Sequence, residues 1–269
     1  ILLCISSPTD KLDYLLICLN GSITGLMVIG ALLKKMGLIK GRLTLNHLAA
    51  KFLSGNGIEI GPLVRPTKLP PGTAVKYVDR LSVEQMKVHY PEIDGKQLTP
   101  IDIIDDGEKL VSFADESLDF IVASHFLEHC QDPLTALENF CRVVVFGGYV
   151  SLAIPDKRFT FDKDRPITPL SHLLLDQKEG PEKSRQAHFA EWSRYVGKKE
   201  GAELQADIKH CTSLDYSIHF HVWTIKEIVE LIEHVISYLP LHAELIEASG
   251  EEVLIVLIKD KGQSVQKKK

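Results

Sequence analysis

From residue 57 onward, short apolar runs alternate with stretches in which apolar residues recur every three to four positions. Residues 57–60 are one such run, and 75–78 (VKYV) are a second that closes on Asp79. Residues 98–104, 118–123 and 149–154 are the third, fourth and fifth. Between the last two, Leu134, Leu137, Phe140, Cys141 and Val144 share one face of a helix over 133–144, which ends at the pair Gly147-Gly148. Residues 82–90 read as a helix opened by Ser82 and Gln85, spaced as in a capping box. Strands alternating with helices build a parallel sheet covered on both faces. The pattern then changes. Residues 224–239 are a helix with a second capping-box pair, Thr224 and Glu227, and 241–248 and 252–258 are strands joined by Ser249-Gly250-Glu251, a hairpin signal. The expected fold is therefore α/β: a doubly wound, mostly parallel, seven-stranded sheet with a C-terminal antiparallel hairpin strand. Residues 156–222 are more polar and weakly periodic. They read as an insertion on the substrate side that covers the active site.

The first 50 residues follow another pattern. Residues 15–33 carry no charge, and Lys34, Lys35, Lys40 and Arg42 follow them. Such a run either spans or touches a membrane, which would place the main domain on the cytoplasmic side, or forms packed helices with a turn at Asn20-Gly21. Membrane association is thus expected, if at all, through residues 12–33. The charges come after the run, which fits a signal peptide less well. The sequence opens on Ile1, and whether residues 1–35 are native is left open. The expected division is a helical segment over 1–50, a domain over 51–260 and a disordered tail over 261–269. A net charge of −5 argues against a nucleic-acid footprint, which needs a basic face. Five scattered cysteines without a CxxC favour reduced thiols and a cytoplasmic location.

Ligands of open α/β sheets bind at the carboxyl ends of strands, so the chemistry is sought there. The first strand ends in Glu59-Ile60-Gly61-Pro62-Leu63, a turn whose glycine would let a ligand approach the backbone. Asp79 ends the second strand, either as a solvated end or as an acceptor for two ribose hydroxyls. Asp105-Asp106-Gly107-Glu108 follows the third strand, as a simple turn or as an acceptor for amino hydrogens, with Asp106 preferred for the latter role. The fourth strand lies in DESLDFIVASHFLEH, and the helix after it runs into RVVVFGG.

In their order and spacing these segments resemble class I S-adenosylmethionine-dependent methyltransferases, over roughly residues 57–259. Phe146 stands where that family usually has proline, and Pro62 and Leu63 stand where it has glycines. The resemblance implies S-adenosylmethionine as cofactor. Gly61 and Pro62 would lie around its methionine moiety with Glu59 ordering the loop, Asp79 on the ribose, Asp106 and Gly107 at the adenine, and Ser124 and His125 beside the sulfonium. The implied activity is methyl transfer to a small-molecule or sugar-like acceptor. A non-catalytic cofactor-binding or scaffold protein is the alternative. A nicotinamide oxidoreductase is disfavoured by the missing GxGxxG.

Several groups remain for the acceptor side. His125-Phe126-Leu127-Glu128-His129 also matches H-x-x-E-H, an inverted zinc-protease motif, but nothing in the sequence supplies a third ligand. Asp156 could orient an acceptor, and Lys157, Arg158 and Arg165 could bind an anion. In the extended segment 218–223, His219 and His221 share a face, as a base, as metal ligands or as the polar edge of a packing strand. His188 and Trp192, four apart, read as core packing of a helix. The expected proton acceptor is His125, His129 or His221, with Asp156 beside the acceptor. No resident metal is assigned.

Overall fold

The computed structural model describes residues 42–260 apart from Asp94. The apolar run at 15–33 and the tail at 261–269 lie outside the described residues. Among the described residues, no helix is long and apolar enough to cross a membrane.

The chain order is α1 (Leu45–Phe52), β1 (Asn56–Ile60), β2 (Ala74–Asp79), α2 (Val83–His89), β3 (Ile103–Ile104), β4 (Leu118–Ser124), α3 (Pro133–Val143) and β5 (Val144–Pro155). Three helices of the insertion follow: α4 (Leu170–Glu179), α5 (Arg185–Tyr195) and α6 (Gly201–Leu214). Then come α7 (Ile225–Ile236), β6 (Leu241–Ser249) and β7 (Glu252–Lys259). The seven strands lie in the order β3-β2-β1-β4-β5-β7-β6. The pairs among β1 to β5 are parallel, whereas β7 is antiparallel to both β5 and β6.

Both expected capping boxes form, at Ser82–Gln85 and at Thr224–Glu227. A third, Thr44 with His47, opens α1. The strands of the sheet's centre are buried on both faces. Phe120 and Val122 of β4 pack with Ala49 and Leu53 of the α1 side, while Ile121 and Ala123 face Leu134, Leu137 and Phe140 of α3. On that second face α7 adds Ile228, Leu231, Ile232 and Val235. Since α1 packs directly on the sheet, the domain begins before residue 51, and the expected boundary would cut a helix.

Two strands differ from their expected bounds. β3 pairs only at Ile103 and Ile104, because Pro100 has no N–H for the ladder. Asp102 replaces the missing pairing: its N–H donates to Tyr77 O and its carboxylate accepts from Tyr77 N–H. β5 starts at Val144, directly after α3, so Gly147-Gly148 is an irregularity inside the strand and not the end of the helix. The register against β4 shifts there, and a Cβ on Gly148 would lie 2.6 Å from Asp119 O.

Candidate active site

The carboxyl ends of β1, β2 and β4 open into a cavity of about 620 Å³, roofed by Asp215, Tyr216, Ser217 and Phe220 of the insertion. Its floor begins at Gly61, whose φ of +63° is the left-handed conformation that glycine adopts without strain. The Gly61 N–H donates to Val78 O, and a Cβ there would touch nothing within 4 Å. The glycine therefore offers the cavity space and a bend rather than a donor. Glu59, buried just before it, accepts from the Thr67 N–H and hydroxyl and fastens the loop after β1. Pro62 is buried off the cavity wall, and Leu63, at φ +43°, is the residue that faces it.

Asp79 lies on the wall at the end of β2, with Oδ1 accepting from Leu81 N–H. Burial raises its pKa against the opposing Leu81 hydrogen bond and Arg80 charge. Arg80 reaches the roof: it donates to the Asp215 carboxylate and carbonyl and to the Tyr90 hydroxyl. After β3, Asp105 accepts from Asp106 and Ser112 N–H and shapes the turn. Asp106 accepts from Glu108 N–H and pairs with Lys109 at 2.9 Å. Gly107 is required by packing, since a Cβ would lie 2.6 Å from the Phe126 ring and 2.7 Å from Ile60. Glu108, also on the wall, accepts from Gln131 and Asp132 N–H and ties this turn to the segment after β4.

The HFLEH segment is not an α-helix. His125 has φ +50° and Leu127–His129 form a single 3-10 turn, so the two histidines do not share a helical face. His125 is half exposed on the cavity wall, with Nε2 3.1 Å from Glu252 Oε2 and Nδ1 3.7 Å from Glu128 Oε1. The hydrogen bond to Glu252 raises its pKa against desolvation, with help from the Glu128 charge. His129 also faces the cavity, 3.0 Å from Ser217 Oγ, and burial pushes its pKa down to about 3. Glu128 is buried with neither carboxylate oxygen hydrogen-bonded, and desolvation raises its pKa. Ser124 is the last residue of β4, paired with Ala153, and does not line the cavity.

The remaining expected groups are engaged elsewhere. The Asp156 carboxylate accepts from Arg158 and from Ile225 N–H at the start of α7, so it joins β5 to that helix instead of facing the cavity. Lys157 donates to Lys163 O. Arg165 is fully buried and binds Asp162, Glu191 and the carbonyls of His219 and Phe220. Lys157 and Arg165 are thus not open to an anionic acceptor in the way the sequence suggests, whereas Arg158, paired with Asp156, stays half exposed. His219 pairs with Asp162 at 2.6 Å and faces Glu128 at 3.9 Å. His221 is wholly buried away from the cavity, beside His172 and His188, and burial holds its pKa well below the ordinary value. Glu252 carries no sequence signal. Its hairpin turn reaches the end of β4 only through the antiparallel insertion of β7 next to β5.

Residues 75–152 match the family model described as a methyltransferase domain. The matched span runs from β2 into β5. The strand order with β7 antiparallel is the one the resemblance implied. The chain is also similar to solved structures. One is an S-adenosylmethionine-dependent methyltransferase from Methanosarcina mazei, at 17% identity, covering 78% of this chain and 95% of that one, with a TM-score of 0.43. Another is an S-adenosylmethionine-dependent methyltransferase from Thermotoga maritima, at 16% identity, covering 80% and 87%, with a TM-score of 0.43. No curated protein matches the sequence. The residues present suit the cofactor. The open bend at Gly61, the carboxylate of Asp79 and the turn at Gly107 bound one cavity, of a size within the range of small-molecule sites, about 300–1,000 Å³.

Proposed function

We propose that this chain transfers a methyl group from S-adenosylmethionine to a small, hydroxyl-bearing, sugar-like acceptor. The observation that carries the reading is the His125–Glu252 pair on the wall of the cofactor cavity. Bound S-adenosylmethionine supplies an electrophilic methyl group. Asp79 would hold its ribose and Gly61 would give its methionine end room. The task left to the protein is alignment, plus removal of one proton when the acceptor is a hydroxyl.

Of the histidines expected for that task, His125 suits it best. A base needs a pKa near the working pH. Glu252 holds the His125 pKa above the usual imidazole value, whereas His129, pushed down to about 3, is a poor proton acceptor. His129 instead serves to position the acceptor with Ser217. The roof of Tyr216, Ser217 and Phe220 limits the opening and favours a slim acceptor over a folded protein surface.

A non-catalytic binding protein is the second reading, favoured by one observation: Leu63 projects at the cavity where the family has glycine. Calorimetric titration with S-adenosylhomocysteine and turnover of a sugar and carboxylate panel separate the two. Binding lost in Asp79→Ala, with turnover lost but binding kept in His125→Asn, supports the enzyme. Binding without turnover of any acceptor supports the second reading.

A further inference from the structure

Outside the cofactor cavity, the insertion gathers four metal-binding side chains at one buried point. His172 and Asp176 come from one face of α4, four residues apart, His188 comes from α5, and His221 comes from the extended segment before α7. One donor atom from each lies within 4.8 Å of the other three. His172 Nε2 is 3.0 Å from His188 Nε2 and 3.0 Å from Asp176 Oδ2, and His188 Nε2 is 3.9 Å from the same oxygen. A tetrahedral zinc with bonds of about 2.0–2.1 Å holds its ligands about 3.3 Å apart. The observed separations bracket that value.

The hydrogen bonding points the same way. His221 Nδ1 is buried without a hydrogen-bond partner, and the buried Asp176 Oδ2 faces the rings of His172 and His188. His221 Nε2 lies 3.3 Å from Gln131 O, so it donates there and leaves the Nδ1 lone pair facing inward. A ligating histidine typically donates its other ring N–H to a carbonyl in this way. Three imidazoles pack edge to face there, with ring centres 4.9–5.6 Å apart. Neutral imidazole is the form that binds a metal. Trp223 stacks on His221 and Phe220 stands against His188, which keeps water out. Arg165, a cation nearby, is already paired with Asp162 and Glu191.

We propose that His172, Asp176, His188 and His221 form a binding site for a divalent zinc ion. Four protein ligands fill the tetrahedron, so the site is closed and structural rather than catalytic. It pins α4 and α5 to the segment 218–223, next to Phe220 of the cavity roof. The assignment does not depend on the methyltransferase reading.

The test is metal content and a metal spectrum of the full chain. Purified without chelator, it should carry about one zinc per chain by elemental analysis. After chelation, Co²⁺ should give the intense visible bands of a tetrahedral N/O site, and added Zn²⁺ should erase them and raise the melting temperature. His172→Gln, at the most exposed ligand, and Asp176→Asn should abolish the cobalt bands while circular dichroism shows a folded chain. His129→Gln should keep them, because Glu128, His129 and His219 form a separate cluster. Wild-type protein that is folded but takes up neither metal would overturn the proposal. So would stoichiometric metal that survives His172→Gln and is lost in His129→Gln.

Discussion

Leu63 and His125 are both non-glycine residues in the left-handed region, and both face the cofactor cavity. For an ordinary side chain that conformation costs roughly 1–2 kcal/mol. At Leu63 no packing explains it, because the side chain is exposed. Leu63→Gly should therefore stabilise the protein by up to about 1 kcal/mol in urea unfolding, the gain being reduced by glycine's larger unfolded-state entropy. His125 is held by its contact to Glu252, which gives a pH signature. With its pKa raised in the folded state, the pair's contribution to stability is complete below the ordinary imidazole value. It is lost as pH rises through the folded value. Activity runs the other way, since the base must be neutral: turnover should fall as pH drops below the folded value. Glu252→Gln removes the largest cause of the shift and should move that acid limb to lower pH in a pH–rate profile.

The periodicity of α3 and α7 was plain because each buries one face on the sheet, and their capping residues announced their starts. β3 was overestimated because apolar content over 98–104 says nothing about the donor missing at Pro100. The place of the cavity was legible from the strand ends, since Gly61 and Asp79 both line it. The site was not legible where a role depends on distant chain. His188 and His221 each drew notice separately, but His172 and Asp176 lie on α4, an element the weak pattern of the insertion did not reveal. Arg165 read as a surface cation and is instead the internal brace of that insertion. It joins the 162–165 turn, α5 and the 219–220 carbonyls. Arg165→Ala leaves the buried Asp162 with His219 but without the guanidinium and should cost about 3–5 kcal/mol, measured as a drop in the unfolding midpoint. On α7, Ile232→Ala removes a fully buried side chain from the main core and should cost about 2–5 kcal/mol.

At the scale of the whole molecule, the cofactor cavity is bounded by three strand ends below and by the insertion above, with Arg80 bridging the two through Asp215 and Tyr90. Ligand binding should therefore couple to global stability. S-adenosylhomocysteine at a hundred times its Kd should add about 2.7 kcal/mol, seen as a rise in melting temperature that disappears in Asp79→Ala. The placement of β7 between β5 and β6 has a consequence for biosynthesis. Domains generally fold as they emerge, N-terminal parts first. The strands whose ends bound the cavity leave the ribosome well before the hairpin turn that carries Glu252. A nascent chain can thus shape this cavity early, but His125 gains its carboxylate only once β7 has emerged and paired with β5.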